Sequence, residues 1–229
     1  MKSHFAAPPL LAGLLLLACT ESRTPTEPIA SKPSLNVTGT TTPCVGTLPP
    51  GAYDNVEVPP GATCFLDNAT IRGSVKALET AQLYMYNSQV AGNVDGDKAA
   101  VVQVGDSRVG GSIQIKEGFS PQVEEGVVVN GTVLEQGNIQ VEKMRTGTIY
   151  IVNVQLDKGN IKVEENSTSI YLNVISNFTP RNIQVFKNTG TSSKSVTANI
   201  AGEAVQCFEN DPIFIGGPNT APVRQGQCF

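Results

Sequence analysis

Gly137-Asn138-Ile139-Gln140-Val141 returns as Gly159-Asn160-Ile161-Lys162-Val163, and once more as Asn182-Ile183-Gln184-Val185. Working outward, the same four-residue string stands at Asn55-Val-Glu-Val58, Ser74-Val-Lys-Ala77, Asn93-Val-Asp-Gly96 and Ser112-Ile-Gln-Ile115, and after the centre at Ala204-Val-Gln-Cys207. Measured at the second residue, the spacings are 19, 19, 19, 26, 22, 22 and 22. Glycine directly precedes five copies (Gly73, Gly92, Gly111, Gly137 and Gly159). A second string, Asn/Asp-x-x-Val/Ile, stands before several of them: Asn68 to Ile71, Asn87 to Val90, Asp106 to Val109 and Asn130 to Val133. Such periods, built from short alternating strands and Gly/Asn turns, mark a stacked solenoid. A leucine-rich repeat would need a leucine ladder, and a helical repeat a 3.6-residue period in place of the period of two seen here. A β-sandwich spaces strands regularly but gives no reason for one tetrapeptide to recur. The expected fold is therefore all-β, a single-stranded right-handed parallel β-helix of about eight coils.

In such a coil the second and fourth residues of the string point inward, while the third (Glu57, Lys76, Gln114, Gln140, Lys162, Gln184, Gln206) faces water. Coils stack about 4.8 Å apart, so each inward side chain lies on its equivalent. The first-position Asn or Ser sits at a turn where its side chain bonds the coils above and below. Glycine is expected to supply the φ > 0 bend between faces. Eight coils at that spacing give a rod on the order of 40 Å long. The window 116–136 is longer than the rest and holds Gly118-Phe119-Ser120-Pro121. It is expected to bulge as a loop, and loops on one face of a solenoid are the usual place for binding.

The chain opens with Met1-Lys2 and an apolar run, Leu10-Leu-Ala-Gly-Leu-Leu-Leu-Leu-Ala18, that ends at Cys19. A positive start, an h-region too short to span a bilayer and small residues at its end read as a secretory signal. Leu16-Leu17-Ala18-Cys19 resembles the lipobox of bacterial lipoproteins, which implies that Cys19 is lipidated and becomes the mature N-terminus. Residues 1–18 are then the lipoprotein signal peptide, and 19–43 the lipidated cysteine with its tether. Seven threonines, three serines and four prolines make up 14 of the 24 residues at 20–43. Such a segment buries too little to offset ordering entropy and is expected to be extended and disordered. The β-helix domain is expected over 44–229.

Setting Cys19 aside leaves Cys44, Cys64, Cys207 and Cys228, an even number that in an exported chain implies disulfides. Each of Cys44–Cys64 and Cys207–Cys228 spans close to one coil, and stacked coils bring Cα atoms within disulfide reach. Pairing the two ends of the rod would need a much longer span. Cys44–Cys64 and Cys207–Cys228 are therefore the expected bridges, each closing an end coil. Their spacing lacks the CxxC pairs of a metal site.

The 229 residues carry a formal charge of -4, with 16% charged residues. Nucleic-acid binding, which needs a basic stripe, is excluded on that balance. The single histidine, His4, lies in the leader, so the mature chain is expected to lack imidazole chemistry altogether. No motif implies a cofactor or a metal. The densest group of charges suited to acid–base chemistry is Asp95, Asp97, Lys98, Asp106 and Arg108. Asp95, Asp97 and Asp106 are the candidate catalytic carboxylates, although the equivalents of Asp95 in the coils on either side are Lys76 and Gln114. Tyr84, Tyr86 and Tyr150 fall on outward phases if Leu83, Met85, Ile149 and Ile151 pack inside. Tyrosines in line on one face can stack on sugar rings, so these three are the candidate ligand-binding residues. Gln103 and Val127 or Val129 are expected in the two coils between them.

The folded part resembles the secreted or surface β-helix repeat proteins of bacteria, through the GNVxV-like strings at Gly92, Gly137 and Gly159 and the cysteine-containing tail from Asn219 to Cys228. A fainter likeness to bactofilins is opposed by the signal peptide and the disulfides. Neither motif includes a site. Right-handed parallel β-helices also include pectate lyases and polygalacturonases, and that architectural resemblance implies carboxylates clustered on one face. The expected function is a lipid-anchored, periplasmic or cell-surface β-helical module, non-catalytic, with a structural or adhesion role. A polysaccharide lyase or hydrolase on the same scaffold is the alternative. The expected partners are the membrane, through the anchor, and an envelope or extracellular glycan or protein.

Overall fold

The computed structural model describes residues 39–122, 124–168, 171–191 and 194–229. The leader, Cys19 and almost all of the tether lie outside these. Among the described residues the fold is all-β and every strand pairing is parallel, in sheets of ten, nine and eight strands plus one two-stranded sheet. The chain visits the three large sheets in turn and returns. The result is a solenoid of about eight coils with three faces, counted on its eight-stranded sheet. The first face runs from Thr41–Pro43 to Val223–Gly226, the second from Gly46–Leu48 to Ile215–Gly216, and the third from Ala52–Tyr53 to Ile200–Ala201. Thr41–Pro43 pairs with Asn55, Val56 and Glu57, so the solenoid begins three residues before Cys44, inside the stretch expected as tether.

The recurring tetrapeptide builds the first face. Val56, Val75, Val94, Ile113, Ile139, Ile161, Ile183 and Val205 stand in direct register, one per coil, and all are buried. The second face stacks Leu83, Val102, Val127, Ile149 and Leu172 in the same way. The third contributes Ile71, Val90, Val109, Leu134 and Leu156. Here one of the second-string examples is out of phase: Val133 pairs with Arg108 and Leu134 with Val109, so the inward residue is Leu134. The left-handed corner residue of that coil is Gly131, in place of Asn130.

The corners depart from expectation. Positive φ is carried mostly by residues other than glycine: Asn68, Asn87, Asp106, Asn153, Ser176 and Ala198 between the second and third faces, and Thr80, Lys98, Glu117, Lys143, Glu165, Lys187 and Glu209 between the first and second. This conformation is unfavourable for L-residues, and from Asn68 to Ala198 it is held because the corner N–H stays in the inter-coil ladder. Asn87 donates to the Gly105 carbonyl and Lys98 to that of Lys116. Gly73, Gly92 and Gly111 serve close approach instead: a Cβ on Gly111 would lie 2.2 Å from Asn93 Oδ1. Gly137 and Gly159 do adopt positive φ. They fall where the chain takes one more residue between the third and first faces.

Just after each left-handed residue the next side chain turns inward, and in the C-terminal coils it is asparagine. Asn188 Oδ1 accepts from the backbone N–H and Nδ2 of Asn166, and its own Nδ2 donates to Asn210 Oδ1 and the Val163 carbonyl. Asn177, Asn199 and Asn219 repeat the pattern at the next corner. A third, half-buried ladder joins Asn55, Ser74, Asn93, Ser112, Asn138, Asn160 and Asn182, the first residues of the tetrapeptide. Lys194 occupies the core position stacked on Leu172, and its amine donates to the Asp211 carbonyl. Burial pushes that amine below the usual lysine range, against the pull of Asp211.

Both expected bridges are present: Cys44–Cys64 with Cα atoms 5.4 Å apart, and Cys207–Cys228 at 5.7 Å. The extra length of the 116–136 window is concentrated at the corner between Ile113–Lys116 on the first face and Gly126–Asn130 on the second. Phe119 is exposed there and Ser120 is buried.

Asn188→Ala strips an acceptor from two buried donors of Asn166 and is expected to cost about 3 kcal/mol in denaturant unfolding, because orphaned buried polar groups are expensive. Gln184→Ala, on the outer surface two strand positions away from the nearest corner, is expected to change stability by less than about 0.5 kcal/mol. Equal effects of the two changes would refute the ladder.

Candidate functional site

Because the coils are in register, every outward position becomes a row of side chains at strand spacing. On the first face the row reads Glu57, Lys76, Asp95, Gln114, Gln140, Lys162, Gln184, Gln206 and Gln225. Its later part is an amide ladder, with Gln184 Nε2 donating to Gln206 and Gln206 Nε2 to Gln225. The adjacent row carries the ion pair Lys116–Glu142 at 3.1 Å, and Lys162 of the central row pairs across to Glu164 in it.

The charged residues singled out from the sequence do not form one constellation. Asp95 and Asp97 lie on the first face, Lys98 at the next corner, Asp106 at the following corner and Arg108 on the third face. Asp95 is half-buried in register with Lys76 on one side and Gln114 on the other. Burial pushes its carboxyl above the usual value, against the pull of Lys76 and Lys116. Asp97 pairs in register with Lys116. Asp106 lines a shallow groove of about 260 Å³ with Asn87, Gln89, Arg108 and Gly131, and Arg108 is ion-paired to Glu135 at 3.0 Å. Among the described residues, no three His, Cys, Asp or Glu side chains converge as metal ligands would.

The tyrosine rings Tyr84, Tyr86, Tyr150 and Tyr171 and the Phe65 ring stand on the second face, while the first face carries one ring pair of its own, Phe186 with Phe208, centroids 5.8 Å apart. Leu83, Met85, Ile149 and Ile151 are fully buried, which turns Tyr84, Tyr86 and Tyr150 outward as their phase requires. The central row is Phe65, Tyr84, Gln103, Val128, Tyr150 and Asn173. Val128, rather than the buried Val127 or Val129, is therefore the residue between Gln103 and Tyr150. Phe65 and Tyr84 stack with ring centroids 5.0 Å apart and planes 15° from parallel. Tyr86 hydroxyl donates to Gln103 Oε1 at 2.7 Å. Further along, Tyr150 meets Tyr171 with centroids 5.9 Å apart.

Two members of this face were missed in the sequence, for different reasons. Phe65 stands 19 residues before Tyr84, one early period, and that spacing was a usable signal. Tyr171 falls in the row of Thr148, because the second-face spacing here is 23 residues, Tyr150 pairing with Asn173. A constant 22-residue period puts it out of phase. Burial raises the pKa of the Tyr84 hydroxyl, helped by the neighbouring Glu125 charge and by Tyr86, and burial likewise raises those of Tyr86 and Tyr150. The three therefore stay protonated, as hydroxyl donors, throughout the neutral range.

No protein-family model matches the chain, and neither a curated protein nor a solved structure matches it.

Asp95→Asn tests the burial of that carboxyl. With its folded pKa raised, the native state holds the extra proton between the ordinary value of 3.8 and the raised one, so stability falls as pH rises through that window. At neutral pH the variant is expected to melt above wild type, the gain shrinking to nothing as pH drops below the window. A variant less stable than wild type at neutral pH would contradict this placement.

Proposed function

We propose that the protein is a lipid-anchored component of the bacterial cell envelope, periplasmic or cell-surface exposed, acting as a non-catalytic structural or adhesion module. The observation that carries this reading is the group of rings on the second face, Phe65, Tyr84 and Tyr150 in its central row with Tyr86 and Tyr171 in the rows beside it, projecting from a backbone held in register by inter-coil ladders. Half-exposed rings on a flat, rigid surface suit contact with a partner. Two disulfides closing the end coils fit an oxidising compartment outside the cytosol. The run ending at Leu16-Leu17-Ala18-Cys19 supplies the export and anchoring signal. Diacylation of Cys19 would hold the mature chain by two acyl chains, which suffices for stable attachment where one does not. The partner is then an envelope or extracellular glycan or protein. The enzyme alternative has less support, since Asp95 and Asp97 stand on the first face while Asp106 sits at the corner after the second face and Arg108 on the third.

Expressed in a bacterial host, the full chain is expected in the membrane fraction, and Cys19→Ser is expected to shift it to the soluble fraction. Retention of the Cys19→Ser protein on membranes would refute the anchor. Polysaccharide cleavage by the wild type that Asp95→Asn/Asp97→Asn abolishes would refute the non-catalytic reading.

A further inference from the structure

The long corner segment 117–125 brings two carboxylates, Glu124 and Glu125, to the aromatic face. Glu124 lines an open cleft of about 320 Å³ together with Thr148, Tyr150 and Tyr171. The Tyr150 and Tyr171 rings are inclined to each other by 32° at 5.9 Å. The pair is tilted, neither parallel nor perpendicular, and both rings border the open cleft as its aromatic platform. Glu125 stands beside Tyr84, and its Oε2 is buried with no hydrogen-bond partner among the described residues.

The lining decides what chemistry fits. Ring faces offer an apolar, π-rich surface, and carboxylates are acceptors only. Among the described residues no lysine or arginine lines the cleft, which disfavours phosphate, sulfate and uronate ligands. A suitable ligand presents one flat C–H face to the rings and several hydroxyl donors at its edge. A neutral pyranose has both. The second aromatic group, Phe65 with Tyr84, lies on the same face. Tyr84 and Tyr150 are three coils apart in one row, about 14 Å at strand spacing. An extended, ribbon-like saccharide chain along the coil axis would meet both groups.

We propose that the Tyr150–Tyr171 platform with its Glu124 rim is a binding site for neutral β-linked oligosaccharide, the Phe65–Tyr84 pair extending it along the face. The assignment rests on the reading of the chain as a binding module and names its ligand class. Tyr150 and Tyr171 stack on successive sugar faces, and Glu124 accepts from ring hydroxyls.

The chain has five tyrosines and no tryptophan, so intrinsic fluorescence reports the tyrosines directly. Full-length protein in detergent micelles would be titrated with cellohexaose and chitohexaose, with hexagalacturonate and choline as anionic and cationic comparators. A saturable change is expected with at least one neutral hexasaccharide. Tyr171→Ala is expected to weaken it about tenfold, in line with the loss of one aromatic contact. Glu124→Gln is expected to weaken it about threefold, a smaller loss because the amide oxygen still accepts. Tyr53→Phe, at a third-face tyrosine that bonds only the Pro49 carbonyl, should leave binding unchanged. Absence of saturation with either neutral probe, indifference to Tyr171→Ala, or tighter binding of choline or hexagalacturonate would each overturn the assignment. Those failures would leave the anchored, non-catalytic rod standing. Shortening of a hexasaccharide during the titration would instead overturn the non-catalytic reading.

Discussion

Every parallel rung places a residue directly over its equivalent one coil away, and that constraint governs this molecule. Apolar residues gain from it, since valine on isoleucine on valine builds a dry column with no helix or second layer needed to cover it. Polar residues inside the solenoid survive only if each satisfies the next. Asparagine does so because its amide both accepts and donates, so one residue type can repeat indefinitely along the axis. The buried columns of Asn166, Asn188 and Asn210, and of Asn177, Asn199 and Asn219, are that solution. They also explain why left-handed corners at Lys187 or Ala198 are tolerated, since the following asparagine locks the bend to the coils on either side.

The parts of the fold visible in the sequence were those where the same demand recurs at a fixed spacing. The first face was legible because its tetrapeptide returns intact, and the disulfides followed from the length of one coil. Corner geometry was not legible, because thirteen non-glycine residues among those described adopt positive φ and their identities, from lysine to alanine, share no side-chain chemistry. What holds them is a backbone hydrogen bond to the next coil, which leaves no mark in composition. At Asn130 the corner length is unchanged, Gly105 and Arg108 pairing with Asn130 and Val133, and an Asn-x-x-Val string merely stands one residue ahead of the true Gly131-x-x-Leu134. Tyr171, by contrast, was missed because its coil is one residue longer. A coil that gains a residue at a corner shifts everything downstream, and a constant period cannot show where the residue went.

The same register that organises the interior rules the surface. An outward side chain on this scaffold is never isolated; it belongs to a row, and its neighbours set its surroundings. Asp95 is half-buried because Lys76 and Gln114 flank it, and Tyr84 is stacked because Phe65 lies one coil before it. The first face reads as a solvated amide and ion-pair lattice with one ring pair, Phe186 and Phe208, near its C-terminal end. The second, where the long 117–125 corner and the rings converge, differs in kind, and it is there that partner recognition is assigned. A rigid scaffold loses little conformational freedom on binding, which favours even shallow sites.

Stacking of coils in parallel register is tested most directly by trans-hydrogen-bond scalar couplings in a deuterated, isotope-labelled sample. The Val94 amide should couple to the Ser112 carbonyl, Ile139 to Asn160 and Ile149 to Tyr171, each partner lying one coil further along the chain and the offset staying constant along each strand. Couplings whose sequence separation shrinks steadily along a strand, the mark of antiparallel pairing, would show that the column does not exist.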